Sequence, residues 1–331
     1  MKGRAPRLAA IAVAIVFLLT LPAWVANSYY VNVASQILLW AVAALALNVL
    51  VGYGGLVSLG HAALFGTAGY TAALLLQAGH GHFLADIAAI GFTLLVSAIF
   101  AILSLRSTGI TFLMITLALG QILWGIAYRW ASLTQGDNGV NVTTRPQLFG
   151  VSLAGADAFY YAVLVVFVLA ALSMAIFVDS PFGASLRGTR DQARRMNALG
   201  YNVWLIRFIA FLFSGFWTGV AGLLFVYYNQ FISPQIMALQ TSAEILLMVI
   251  SGGTATLIGP IAGAVIVVIM KNVASAYIER WNLVLGVIFV LIISFMPDGL
   301  IPGTTRIWRH GWRALRARVT SRWAGRGVRA S

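Results

Sequence analysis

The chain has 331 residues, 61% of them hydrophobic and only 9% charged, far below the roughly 25% charged content of soluble domains, so little is left for a water-soluble domain. It has no cysteine, which excludes disulfides, thiol catalysis, iron–sulfur clusters and Cys-ligated zinc. Its formal charge is +13, and the position of that charge decides what it means.

The basic residues lie beside apolar runs. Of 21 Lys and Arg, three fall in residues 1–7, one is Arg106, five lie in 187–207 and eight in 306–329. Clusters of this kind mark the cytoplasmic flank of membrane spans and attract anionic lipid; they argue against a nucleic-acid surface. Four histidines and eight acidic residues are scattered, which argues against a metal centre.

In chain order, the first expected span is 8–26, after Lys2, Arg4 and Arg7. Its apolar run exceeds the roughly 7–15 residues of a signal peptide, and Trp24 suits cleavage after Ala26 poorly, so an uncleaved helix is favoured. Further spans are expected at 31–51, 55–77, 85–105, 110–131, 158–178 and 204–230, broken by Gly, Asn, Asp and Pro. Trp24, Tyr29, Tyr30, Trp130, Tyr227 and Tyr228 fall near span ends, as an interfacial aromatic belt does. Residues 132–157 are the longest outer polar segment and 179–203 the longest inner one.

The basic tail belongs inside. Reaching it from an outer Gln230 takes an odd number of crossings, which 241–252, 255–271 and 282–300 supply if the chain breaks at Gly252-Gly253. The expectation is an all-α polytopic membrane protein with about ten transmembrane helices, including broken or re-entrant segments. A permease domain would occupy residues 1–303 and a basic cytoplasmic tail 304–331, with both termini inside.

Two Gly-interrupted apolar segments stand out, GYGGLVSLGHAALFG at 52–66 and SGGTATLIGPIAGA at 251–264. Irregular backbone at membrane depth needs a cavity or protein neighbours, and paired broken helices line transport paths. Ser58, Gly60, His61, Glu244, Gly252 and Gly253 are therefore candidate pathway residues. Close helix packing is the competing reading for the glycines, with Gly215-x-x-x-Gly219 and Gly259-x-x-x-Gly263 suited to tight crossings. For His61 the competing reading is a satisfied structural imidazole. Glu244 is an intramembrane carboxylate, functional by default unless it sits at headgroup depth. Asn48, Thr116 and Gln121 read as interhelical hydrogen-bond donors. In the outer loop, Asp137 and Asn138 are either partner contacts or a solvated turn.

Residues 179–202 read DSPFGASLRGTRDQARRMNALGYN. Ser180 can cap a helix opening at Pro181, and Gly200 can end it. Arg187, Arg190, Asp191, Arg194 and Arg195 share one face at helical spacing, so Asp191 is expected to pair with Arg187 or Arg195. Ala193, Met196 and Gly200 form a less polar face. Held between two spans, such a helix is either a docking lever or a basic helix lying on lipid.

This segment resembles the coupling segment of the branched-chain amino-acid ABC transporter permease family through Phe182, Gly183, Leu186, Arg187, Arg190, Asp191, Ala198, Gly200 and Asn202. The family's early signature is similar to LNVLVGYGGLVSLGHAALFG at 47–66, its outer-loop element to SLTQGDNGV at 132–140, and its late signature to AEILLMVISGGTATLIGPIAGA at 243–264. The likeness spans about residues 30–303, in order. One departure is Ala193-Arg194-Arg195-Met196, where relatives often carry an acidic residue followed by an Ala-Ala pair.

The resemblance implies an ABC importer permease whose ATPase coupling surface includes Phe182, Gly183, Leu186, Arg187, Arg190, Asp191, Ala198, Leu199 and Gly200. Implied partners are a second homologous permease subunit, two ABC ATPase subunits and a periplasmic substrate-binding protein that Asp137 and Asn138 would meet. The implied solutes are leucine, isoleucine and valine, with urea and short amides as alternatives, and the implied location is the bacterial inner membrane. A Walker motif needs Gly-Lys-Ser/Thr, and the only lysines, Lys2 and Lys271, stand in no such context. ATP and magnesium would then be used by the partners, and this chain would bind no cofactor. A secondary transporter would need charges within the spans, which hold few besides Glu244 and the interface-near Arg129. An intramembrane enzyme would need paired carboxylates, a metal cluster or a Ser/His/Asp group, none of which is legible.

Overall fold

The computed structural model describes residues 27–277 except 143, 144, 149 and 150, together with 18–22, 24 and four single positions between 283 and 290. Most of the expected first span, the expected last span at 282–300 and the basic tail lie outside the described residues.

The principal helices are α1 (Ser28–Asn48), α2 (His61–Gln77), α3 (His82–Ser104), α4 (Ile110–Arg129), α5 (Ala131–Thr134), α6 (Ala156–Asp179), α7 (Pro181–Ala198), α8 (Val203–Asn229), α9 (Leu239–Gly252) and α10 (Ile258–Tyr277). Five stretches are long and apolar enough to cross a bilayer: Ser28–Tyr53, His82–Ser104, Ile110–Arg129, Ala156–Asp179 and Val203–Asn229. Among the described residues, α9 and the apolar part of α10 are shorter. They lie side by side as a hairpin, bent where Gly252-Gly253 was expected to break the chain. The expected span at 55–77 begins as helix only at His61, because Gly54 to Gly60 follow an irregular path.

The core forms around α1, whose residues from Leu38 to Asn48 are all buried, as are Val49 and Leu50 just after it, and which packs against α6, α8, α9 and α10. Its sequence, SYYVNVASQILLWAVAALALN, is apolar on every side, as a helix enclosed by other helices must be. By contrast α4 is equally apolar but exposes Ile110, Met114, Ile122 and Ile126. Apolar side chains left uncovered on a span of this kind suit a face turned to lipid or to another membrane subunit. Gly215 and Gly219 of α8 lie directly on Ser97 and Thr93 of α3, so their close-packing reading holds.

Connections gather at two ends. One end holds the segment joining α1 to α2, the 253–257 loop and α7. The other holds the α5 region and the residues after α8. There β1 (Val140–Asn141) pairs antiparallel with β4 (Phe231–Ile232), while β2 (Gln147–Leu148) and β3 (Val151–Ser152) form a separate hairpin. Arg145 fastens this end. Its Nε donates to the Tyr227 carbonyl at 3.0 Å, its Nη2 to Tyr228 at 3.1 Å and its Nη1 to Ala154 at 3.1 Å. Its guanidinium also lies 4.9 Å from the Phe159 ring centre. Two of those carbonyls belong to the last turn of α8, where outward-pointing acceptors lack helical partners.

Candidate functional site

The two Gly-rich segments meet. The first departs from helix at a π-turn, Val49–Tyr53, and the second at Gly253, whose φ is +115°. Asn48 joins them: its Nδ2 donates to the Thr256 carbonyl at 2.8 Å, and its Oδ1 accepts from the Ala255 N–H at 3.1 Å. Gly52 lies so close to the Ala255 backbone that a Cβ would overlap Ala255 N and the Asn48 side chain. Only glycine fits that approach.

Backbone groups released by the breaks find partners from other helices. Leu59 N–H donates to Thr116 Oγ1 on α4 at 3.2 Å, and Ala62 N–H to Ser242 Oγ on α9 at 3.1 Å. Thr256 Oγ1 accepts from Gly259 N–H at 3.0 Å and so caps α10. These contacts explain how irregular backbone survives in an apolar setting. Asn48 thus donates between segments as expected, whereas Thr116 accepts from Leu59 and donates only within its own helix, to the Leu113 carbonyl at 2.9 Å.

His61, the first residue of α2, is fully enclosed. Ser214 Oγ donates to the Ala46 carbonyl at 2.6 Å and stands 2.9 Å from His61 Nε2; Ser58 Oγ stands 3.0 Å from Nδ1. With the Ser214 proton committed to Ala46, its oxygen accepts from Nε2–H, leaving Nδ1 to accept from Ser58. The ring is satisfied on both sides and ties α2 to α8. Ser58, Gly60 and His61 are buried together, apart from the charged cavity described below.

The Arg-rich segment is α7. Ser180 Oγ accepts from Gly183 N–H at 3.2 Å, the expected cap. At the other end Tyr201 N–H reaches Met196 O at 3.1 Å, and Gly200 N–H reaches Asn197 O at 3.0 Å, with Gly200 at φ +87°. That is a Schellman ending. Between them the helix is kinked at Gln192, with φ −151° and ψ +83°. The kink breaks the i,i+4 spacing from Asp191 to Arg195; Asp191 pairs with neither Arg195 nor Arg187 but with Arg190 at 2.9 Å.

One part of α7 is seated on the membrane body. Leu186 is fully buried and lies over Gly54. Phe182 packs on Phe177, 5.1 Å between ring centres, and Gly183 sits against the carbonyl of Val178. Arg190 Nη1 donates to the Gly52 carbonyl at 2.7 Å, and its side-chain carbons cover Gly55. From α8, Arg207 Nη2 donates to Thr189 O at 2.9 Å. The other part faces outward: Asp191, Gln192, Arg194, Arg195, Ala198 and Gly200 are exposed, and apolar Leu199 is 66% exposed. Arg187 is half-buried between the two.

At the opposite end of the fold, Glu244 on α9 is only 6% exposed and pairs with Lys271 on α10 at 3.1 Å. Both border a cavity of about 370 Å³ that Phe225, Phe231, Ile236 and Thr241 also line. From the sequence, Lys271 counted only as a lysine outside any Walker context. The available signal was the hairpin itself: folded at Gly252-Gly253, it brings an intramembrane lysine alongside the intramembrane glutamate. Asp86 and Arg207 were likewise undercounted within the spans; Asp86 accepts from the Tyr227 hydroxyl at 2.5 Å. Asp137 and Asn138 are exposed in a 3₁₀ turn, Gly136–Asn138, beside β1. Among the described residues no group of His, Asp and Glu is placed to hold a metal ion.

Comparison with known proteins places this arrangement. Residues 29–293 match the family described as branched-chain amino acid transport system, permease component. The high-affinity branched-chain amino acid transport system permease protein LivM of Salmonella typhimurium is 28% identical over 301 residues, covering 83% of this chain and 70% of that protein. LivM of Escherichia coli K12 is 27% identical with the same coverage. No solved structure matches. With a match across most of its length, and with membrane-crossing helices around a buried α1, the chain belongs to the branched-chain amino acid transport permease family and is a membrane transport component rather than an enzyme.

Proposed function

We propose that the chain is a permease subunit of an ATP-binding cassette importer that carries branched-chain or similar hydrophobic amino acids across the bacterial inner membrane. Separate subunits hydrolyse ATP, a second related permease completes the membrane path, and a periplasmic binding protein delivers the solute near Asp137 and Asn138. In this reading α7 and both termini face the cytoplasm.

The observation that carries the proposal is the two-sided character of α7. Its anchored part, through Arg190 and Leu186, rests on the segment that joins α1 to α2, and Gly52 in turn rests on the loop joining α9 to α10. Its outer part offers Arg194, Arg195, Ala198 and Leu199 to a partner. Around the kink, Gly188, Asp191, Gln192, Arg195, Met196 and Leu199 border a surface hollow of about 400 Å³, fit to take a side chain from that partner. A motor gripping this part displaces the junction of both broken segments together. Such a movement redistributes the protein between inward-open and outward-open states.

The test is reconstitution with the partner subunits in proteoliposomes, comparing wild type with Arg194→Glu/Arg195→Glu. Both side chains are exposed, so the double variant is expected to keep its thermal stability while losing ATPase association and ATP-driven leucine uptake. Uptake by this chain without any ATPase would contradict the importer reading. Unchanged ATPase assembly in the double variant would remove these two arginines from the contact.

A further inference from the structure

The cavity beside the Glu244–Lys271 pair has a chemistry that the transport reading alone does not supply. Its volume, about 370 Å³, falls in the range of roughly 300–1,000 Å³ of small-molecule sites. It combines one carboxylate, one ammonium, uncharged polar side chains such as Asn229, Ser233 and Gln235, and apolar surface from Phe225, Phe231 and Ile236. It lies at the end of the fold opposite α7, where β1 pairs with β4. The N-terminus of α9 opens on it as well: Ala238, Gln240 and Thr241 line the cavity, and Ala238 provides no side-chain cap.

We propose that this cavity is a recognition site for a zwitterionic α-amino acid, in which Glu244 takes the solute's ammonium and Lys271 its carboxylate while Phe225 and Ile236 receive its aliphatic side chain. The inference rests on the importer reading and specifies which solutes the membrane subunit accepts. A charge held at membrane depth is costly unless paired. The 3.1 Å pair meets that need when the site is empty. An α-amino acid carries opposite charges one carbon apart, so each member of the pair can exchange its partner for one end of the solute. The count of charge pairs rises, and no ion is left alone at any stage. A solute with only one of its two charges leaves either Glu244 or Lys271 without a new partner. The positive end of α9 adds a second attraction for the carboxylate. Urea and short neutral amides can hydrogen-bond to these groups but carry no charge to replace either member of the pair, so they are weaker solutes for this cavity than a zwitterion.

The test uses the full chain assembled with its permease and ATPase partners, purified without the binding protein. Direct binding of L-leucine, L-leucinamide and 4-methylpentanoate is measured by calorimetry. Leucine is expected to bind at least about tenfold more tightly than either analogue, because truncating one partner of a desolvated charge pair costs that much or more. Equal binding of all three overturns the proposal. Glu244→Gln and Lys271→Gln are each expected to weaken leucine binding at least about tenfold while the complex still assembles. Where either variant fails to assemble, the wild-type analogue comparison still decides. Leucine transport with unaltered KM in assembled Glu244→Gln and Lys271→Gln complexes would refute the site but leave the importer standing. If the wild-type complex moves no amino acid even with its binding protein restored, the underlying reading fails instead.

Discussion

At the level of single residues, Asn48 and Arg190 are the two that hold the unusual backbone in place. Asn48 uses both ends of its amide on partners more than 200 positions away in sequence. Asn48→Ala leaves the Ala255 N–H and the Thr256 carbonyl without their partner, at a cost of about 1–3 kcal/mol each where no water replaces it. A lowered thermal midpoint of the purified protein in detergent is the expected readout; an unchanged midpoint would contradict the role given to Asn48. Arg190→Gln should act differently. It removes a charged hydrogen bond to Gly52, worth about 1.5–3 kcal/mol, and the ion pair with Asp191, while Arg194, Arg195, Ala198 and Leu199 stay in place on the outward part of α7. ATPase subunits should therefore still assemble, while leucine uptake per ATP hydrolysed falls by about tenfold or more. Sequence alone marked Asn48 as polar in a span and Arg190 as basic on a helix. It could not name their partners, because hydrogen bonds over such separations depend on how the helices are arranged.

Among the helices and loops, the cap and stop residues of α7 were legible because capping is local: Ser180 and Gly200 act on groups within a few residues. The kink at Gln192 was not, since no proline or glycine stands there, and with it went the i,i+4 pairing of Asp191 with Arg195. The bend at Gly252-Gly253 followed from counting crossings, and the glycines of α8 followed from their spacing. Arg145 had no such local signal, because its acceptors are carbonyls of α8 over 80 positions away. Arg145→Ala should loosen the loop end of the molecule, where the lost charged hydrogen bonds are worth about 1.5–3 kcal/mol each in a protected site. Faster limited proteolysis between residues 131 and 155 from the exposed side, with the α7 end uncut, is the expected pattern. Equal cleavage rates in wild type and variant would show that Arg145 does not secure this loop.

For the molecule as a whole, composition and the placement of arginine were enough to read a multi-pass helical membrane protein, because burying apolar helices in lipid is a bulk property of the chain. The meeting of the two Gly-rich segments and the pairing of Glu244 with Lys271 needed three-dimensional structure. They create a chain of contacts at one end, from the exposed part of α7 through Arg190 and Gly52 to Ala255. The charged cavity lies at the other end. Motion of α7 can thus reach α9 and α10, the two helices that carry Glu244 and Lys271, through contacts among the described residues alone. That connection depends on α7 being held by a motor on the cytoplasmic side. The most direct measurement is site-specific photo-crosslinking from position 195, with a photoreactive residue replacing Arg195 in cells that express the whole transporter. A covalent product with the ATP-hydrolysing subunit, trapped from the cytoplasmic side, is the predicted result; capture only of lipid or of a periplasmic protein would contradict it.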